Sequence, residues 1–143
     1  MDFSKTIYIK EGDYLDGRSV VIFDCDTPFR LTNNNSSAII MHIVNTLKKS
    51  IIVSKNYSDK DQFCIMVNLT NLKKCKVSIK FVVSITTVLK EVFPDKLYKC
   101  FLKNPSILFR SIYLVIRHII DKETRDKISL LKNGKQIIYD TTF

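Results

Sequence analysis

Glycine is scarce in this chain of 143 residues, present only at Gly12, Gly17 and Gly134. That scarcity excludes a Gly-x-Gly-x-x-Gly dinucleotide loop and a phosphate-binding P-loop, which need glycines close together for tight turns around phosphate. No serine sits in a Gly-x-Ser-x-Gly elbow, so the sequence offers no activated hydroxyl of that kind. The two histidines, His42 and His118, each fall in a helical apolar pattern without a cysteine or second histidine at ligand spacing, which argues against a metal. Cys25, Cys64, Cys75 and Cys100 lie 39, 11 and 25 positions apart, with no Cys-x-x-Cys pair, and read as reduced, mostly buried thiols. No apolar run approaches the roughly 18 to 20 residues that cross a bilayer. The amino terminus, Met-Asp-Phe-Ser-Lys, is not followed by the apolar core of a secretory signal, so a cytoplasmic protein is expected. With no catalytic constellation in sight, the expectation is a protein that is not an enzyme and carries no cofactor beyond a bound ligand.

What is present is a 45% apolar composition, enough for one core and one domain, and a formal net charge of +9. The excess is uneven. Met1 to Leu47 holds four basic and six acidic residues, Lys48 to Lys80 eight and two, and Lys90 to Lys135 eleven and five. A basic second half suits an anionic partner, either a phospholipid headgroup layer or nucleic acid, although a solvated lysine-rich surface has the same composition. Lysines outnumber arginines 18 to 5, a bias that AT-rich coding also produces. The basic segments lack an aromatic-rich strand motif and a recognition-helix pattern, which argues against nucleic acid.

Polar and apolar residues alternate over Thr6 to Lys10, Glu11-Gly12-Asp13 interrupts them, and Arg18 to Phe23 resumes the pattern, predicting two strands. After the polar Asn33 to Ser37 loop, Ile39, Ile40, Ile43, Val44 and Leu47 predict a helix over about 37–50. Phe63 to Leu69 reads as a central buried strand. Val77 to Phe93 predicts a helix, Leu97 to Leu102 a strand after Pro94, and Lys127 to Leu131 a last strand that turns through Asn133-Gly134 into Lys135 to Tyr139. Ser106 to Ile120 is apolar on almost every side of a helix, leaving Arg110, Ser111, Arg117 and His118 for water. Such a helix must be covered by core, by a partner or by a lipid phase. The order predicts an α/β fold, a mostly parallel open sheet of about five strands with helices packed on it.

One long stretch resembles a known family. Phe93-Pro94-Asp95-Lys96-Leu97-Tyr98, Asn104-Pro105, the apolar helix, and Asp121-Lys122-Glu123-Thr124-Arg125-Asp126-Lys127-Ile128 are similar in order and spacing to the CRAL-TRIO lipid-binding family. That family shows Tyr-Pro-Glu-Arg-Leu, an Asn-x-Pro turn, an apolar helix and an Asp-Pro-x-Thr-x-x-Lys-Ile close. Upstream, Asp16-Gly17-Arg18-Ser19-Val20-Val21 and Ile65-Met66-Val67-Asn68-Leu69 resemble its first and central strands. No match to the family's amino-terminal helical bundle is found, so 1–143 is expected to be a single minimal lobe.

The resemblance implies a sheet that floors an apolar cavity for one lipid, closed by a gate-like apolar helix. Phe63, Ile65, Ile85, Leu89, Leu108, Phe109, Ile112, Val115, Ile116 and Ile119 are then the candidates for pocket and gate. In phosphatidylinositol-binding members an acidic residue and a lysine contact the headgroup. The matching positions are Asp95 and Lys127, a pair that also reads as a structural ion pair. The hydroxyl side chains those members place on the central strand align with Phe63 and Ile65. Lys96, Lys99, Lys103, Arg110, Arg117 and Lys122 are the expected membrane-facing cations. The implied function is non-enzymatic lipid binding or lipid transfer at anionic membranes, related to phosphoinositides, peripheral to the membrane, with a phospholipid or another hydrophobic ligand bound. The alternative is a degenerate lobe without lipid that acts as a scaffold for another protein or as a homodimer.

Overall fold

The computed structural model describes residues 3–24, 29–30, 36–70, 75–76 and 79–137. In chain order the elements are β1 (Ile7–Leu15), β2 (Arg18–Asp24), β3 (Phe29–Arg30), α1 (Ser36–Ser58), β4 (Phe63–Asn68), β5 (Cys75–Lys76), α2 (Ile79–Glu91), β6 (Leu97–Lys103), α3 (Ile107–Ile116), α4 (Lys122–Asp126), β7 (Ile128–Lys132) and β8 (Lys135–Ile137). Six strands form one sheet in the order β1-β2-β4-β6-β7-β8, while β3 and β5 make a separate short parallel pair. The four central strands are parallel and both edges are antiparallel. The expected mostly parallel α/β sheet is therefore present, with one strand more than the five anticipated. Cys25, the loop at 31–35, Val77 and the strand end at 138–139 lie outside the described residues, as do the side chains of Cys75, Leu108 and Ile112.

Strand order rises steadily in one direction from β2 to β7, so connections of the usual right hand put the intervening helices on one face of the sheet, where α1, α2 and α3 share a core. Ile39, Ile43 and Leu47 of α1, Leu89 of α2 and Tyr113 of α3 pack in one core with Val21, Phe63, Ile65, Leu102 and Leu130 of the strands. The opposite face carries a smaller cluster of Val20, Ile22 and Cys64, flanked by Tyr8, Leu15, Met66 and Tyr98.

Three boundaries depart from the sequence reading, each for a local reason. First, β1 does not stop at Glu11. It continues to Leu15 through an irregularity between Ile9 and Tyr14, where Gly12 adopts a positive φ and Lys10 pairs with Asp13 at 2.9 Å.

Second, α1 runs to Ser58 rather than Ser50. A polar stripe at four-residue spacing, His42, Thr46, Ser50, Ser54 and Ser58, faces inward and hydrogen-bonds the sheet, the turn at Gly17 or carbonyls of its own helix instead of packing oil. His42 Nε2 lies 2.8 Å from the Ile7 carbonyl, the Ser19 amide donates to Ser54 Oγ at 2.8 Å, and the Ser19 hydroxyl donates to the Ser50 carbonyl at 3.0 Å. Ser58 donates to the carbonyl of Gly17, whose missing side chain makes room: a Cβ there would stand 2.7 Å from Ser58 Oγ. The same glycine, with Asp16, supplies the two positive φ angles of the tight β1–β2 hairpin. Ser54→Ala leaves the buried Ser19 amide without its acceptor. It is expected to cost about 1–3 kcal/mol, seen as a lower urea midpoint at unchanged slope.

Third, the apolar segment from Ser106 is helical only to Ile116. Ser106 caps its start by accepting from the Phe109 amide at 3.1 Å, and residues 117–120 form a tighter turn. Asp121 then caps the short α4 by accepting from the Thr124 amide at 3.1 Å, an element the sequence reading passed over.

Candidate functional site

Between the sheet and its helical cover lies a cavity of about 150 Å³. Phe23, Ile65, Val67 and Leu69 line it from β2, β4 and the residue after β4; Leu97, Cys100, Leu102 and Ile128 line it from β6 and β7. Phe81, Val82, Ile85, Thr86 and Leu89 of α2 and Phe109, Tyr113 and Ile116 of α3 complete the walls, with Ile120 and Thr124 at one end. A register shift between β4 and β6 leaves Tyr98 as an extra residue, so Leu97 and Cys100, three apart, both face the cavity. Among the described residues no charged side chain contributes to the wall. The Thr86 hydroxyl is turned onto its own helix, donating to the Val83 carbonyl at 2.8 Å. A space of this size with so few polar groups on its wall offers water little to bond.

Helix α3 is apolar on two sides. Phe109, Tyr113, Ile116 and Ile120 follow one another at helical spacing along the inner side, with the Phe109 and Tyr113 rings stacked at a centroid distance of 6.5 Å. On the outer side Ile107, Val115 and Ile119 are 81%, 54% and 50% exposed. A thin wall thus separates an apolar interior from an apolar exterior.

A family model described as the CRAL/TRIO domain matches residues 3–140. The chain belongs to the CRAL/TRIO domain family. No curated protein matches it by sequence. Among solved structures it is similar to the crystal structure of Sfh5, with a TM-score of 0.54 and 13% identity over 88% of this chain and 46% of that one. The chain therefore spans less than half the length of that structure.

Within this CRAL/TRIO lobe the residues singled out from the sequence separate into distinct places. Ile65, Ile85, Leu89, Phe109 and Ile116 line the cavity. Phe63 does not. It is fully buried one turn of the pleat below, edge-on to Phe93 with ring centroids 5.7 Å apart, and belongs to the solid core. Val115 and Ile119 point outward rather than inward, because the cavity side of α3 is taken by the residues around Tyr113. The lining residues missed in the sequence, such as Val67, Cys100 and Leu102, follow from strand alternation once the face of Ile65 is known.

Asp95 and Lys127 are not brought together as an ion pair. Asp95 is exposed on a positive-φ turn ahead of β6, where its carbonyl accepts from Gln62 Nε2 at 3.0 Å. Lys127 stands directly before β7 at the level of Cys100, whose amide donates to its carbonyl, and its Nζ lies 3.8 Å from Glu123. Those levels are separated by on the order of 10 Å along the strand direction.

The basic candidates are likewise dispersed. Lys96 pairs with Asp61 at 2.6 Å, a hydrogen bond and charge that hold the Asp61 carboxyl below its ordinary value. Lys99 sits 5.3 Å from the Tyr98 ring, and alternation sends both Lys99 and Lys103 to the sheet face away from the cavity. Lys122 pairs with Asp126 at 3.0 Å on α4. Arg110 and Arg117 are half-buried on α3 and the turn after it.

Two thiols stand on adjacent strands but on opposite faces, Cys100 toward the cavity and Cys64 away from it. Burial pushes Cys100 up to about 12 and Cys64 up to about 11. Both shifts favour the protonated thiol in the folded state, so their stabilisation is complete below about pH 9 and is lost as pH rises toward 12. Urea unfolding at stepped alkaline pH is expected to show stability declining through that window. Cys64→Ser and Cys100→Ala should each flatten the decline.

Proposed function

We propose that the chain binds a lipid without catalysing a reaction on it, and that it does so at an anionic membrane surface. The observation that carries this reading is the wholly uncharged cavity beneath a helix whose outer face is also apolar. The outer side chains enter the interface, α3 moves away from the sheet, and the hydrocarbon of one lipid passes between Phe109, Tyr113 and the strands. A cavity of about 150 Å³ suits a small hydrocarbon, while ligand pockets for larger molecules run from about 300 to 1,000 Å³. Binding a membrane lipid therefore requires outward displacement of α2 or α3. The net charge of +9 supplies long-range attraction, and apolar burial supplies most of the affinity.

The phosphoinositide part of the reading finds no support in Asp95 and Lys127, which lie apart. The small volume also favours a second reading, a scaffold whose cavity stays shut. Organic extraction of the purified chain followed by mass spectrometry separates the two. A reproducible one-to-one lipid is the expected result. An empty protein that forms a homodimer or a stable complex by light scattering overturns it.

A further inference from the structure

Arginine is rare in this lysine-rich chain, yet three of its five arginines, Arg110, Arg117 and Arg125, fall within one short stretch. The guanidinium of Arg110 is partly sealed in: its Nε is shielded from solvent and bonds no group among the described residues. The acids that follow α3 in sequence are already engaged. Asp121 caps α4, Glu123 lies against Lys127, and Asp126 pairs with Lys122. Helix α3 itself carries no acidic residue. A guanidinium stays charged at any accessible pH, so a shielded, unpartnered Nε marks a place where an acceptor is missing.

Its position says what kind of acceptor. At about 100° per residue, Arg110 and Arg117 both lie roughly 40 to 60° round the helix from Tyr113, on the border between the cavity wall and the outer face. They are seven residues apart, hence on one ridge and about 10 Å apart along the axis. Arg125 reaches the end of that ridge, its Nη1 donating to the Arg117 carbonyl at 2.9 Å.

We infer that Arg110 and Arg117, with Arg125 behind them, form a phosphate site on the cavity rim. It receives the phosphate of an amphiphile whose hydrocarbon occupies the cavity. This rests on the lipid-binding reading above and replaces the Asp95–Lys127 pair as the source of headgroup selectivity. The planar fork of arginine, unlike lysine's point charge, matches two oxygens of one phosphate.

The test is calorimetric titration of the full chain with decyl phosphate, with decanol and with inorganic phosphate. Arg110→Gln and Arg117→Gln are each expected to weaken decyl phosphate at least tenfold while leaving decanol within twofold. Lys122→Gln, which removes the same charge from an exposed pair, is expected to change neither by more than twofold. Arg110→Lys should restore only part of the loss. Without ligand, Arg110→Gln should melt at or above the parent temperature, since it removes a donor that has no acceptor. A loss as large in Lys122→Gln, an equal loss for decanol, or inorganic phosphate binding as tightly as decyl phosphate overturns the inference. Decyl phosphate binding without arginine dependence removes this proposal alone, whereas failure of both decyl compounds on the parent chain removes the lipid-binding reading with it.

Discussion

Replacing both Val115 and Ile119 with aspartate is expected to abolish sedimentation with phosphatidylserine-containing vesicles and to leave the thermal transition almost where it was. Both side chains are at least half exposed, and surface substitutions of that kind usually change stability by about 0.5 kcal/mol or less. At a membrane the same two residues matter far more. Fully burying a Val or Ile contributes about 1.5–3 kcal/mol, and a carboxylate in its place opposes insertion and is repelled by the anionic leaflet. The paired substitution therefore removes several kcal/mol, a loss of more than a hundredfold in partitioning.

Ile116 gives a poor version of this experiment. It is 4% exposed and lines the cavity, so an aspartate there buries a charge and unfolds the chain whatever the helix does at a membrane. Vesicle binding that survives Val115→Asp/Ile119→Asp would show that the outer face of α3 is not the docking surface.

The difference between Ile116 and Val115 also marks what could be read in the sequence. A segment apolar all round tells of two covered faces without telling which residue serves which. Here that choice is made by the sheet lying under Tyr113, a contact between residues distant in sequence. The parallel strands after β4 were legible because their short apolar runs are bounded by Pro94, Asn104-Pro105 and Asn133-Gly134, and the last of these forms the β7–β8 turn with both residues at positive φ. The β1–β2 turn was misplaced at Glu11-Gly12-Asp13; it lies at Asp16-Gly17, both at positive φ.

The second half of α1 was illegible for the opposite reason. Ser50, Ser54 and Ser58 look like a solvated helix end until β2 and the turn before it are placed against them, where Ser19 donates to the Ser50 carbonyl and to Ser54 Oγ and Ser58 donates to the Gly17 carbonyl. Sequence spacing gives no depth along a sheet, so it could not tell that Asp95 and Lys127 do not meet as an ion pair. Asp95 and Lys127 flank neighbouring parallel strands, but their levels are set by the β4–β6 irregularity and by α4, and neither shows in a motif. The Arg110 Nε without a partner among the described residues had no sequence signature at all, since it depends on how the carboxylates after α3 are used.

Whether the apolar interior serves as a binding site or only as core is decided by two substitutions with opposite signatures, Phe63→Ala and Cys100→Phe. Phe63 is 0% exposed and held edge-on to Phe93, so its truncation leaves a hole in packed core and is expected to cost about 3–5 kcal/mol. Cys100 faces open space instead. A phenyl ring there occupies much of a cavity of about 150 Å³, the size that accepts one benzene, so the fold is expected to hold or gain stability. If the cavity takes the lipid, Cys100→Phe empties it: extraction should yield less than about a tenth of the parent's bound lipid, from a protein that melts no earlier. Overpacking would reveal itself as a lower melting temperature, and Cys100→Leu, with a smaller added volume, then serves as the graded replacement. Full lipid stoichiometry in a stable Cys100→Phe protein would place the ligand elsewhere, because no second arrangement of β6 keeps Leu97, Cys100 and Leu102 on the same wall while leaving that wall free.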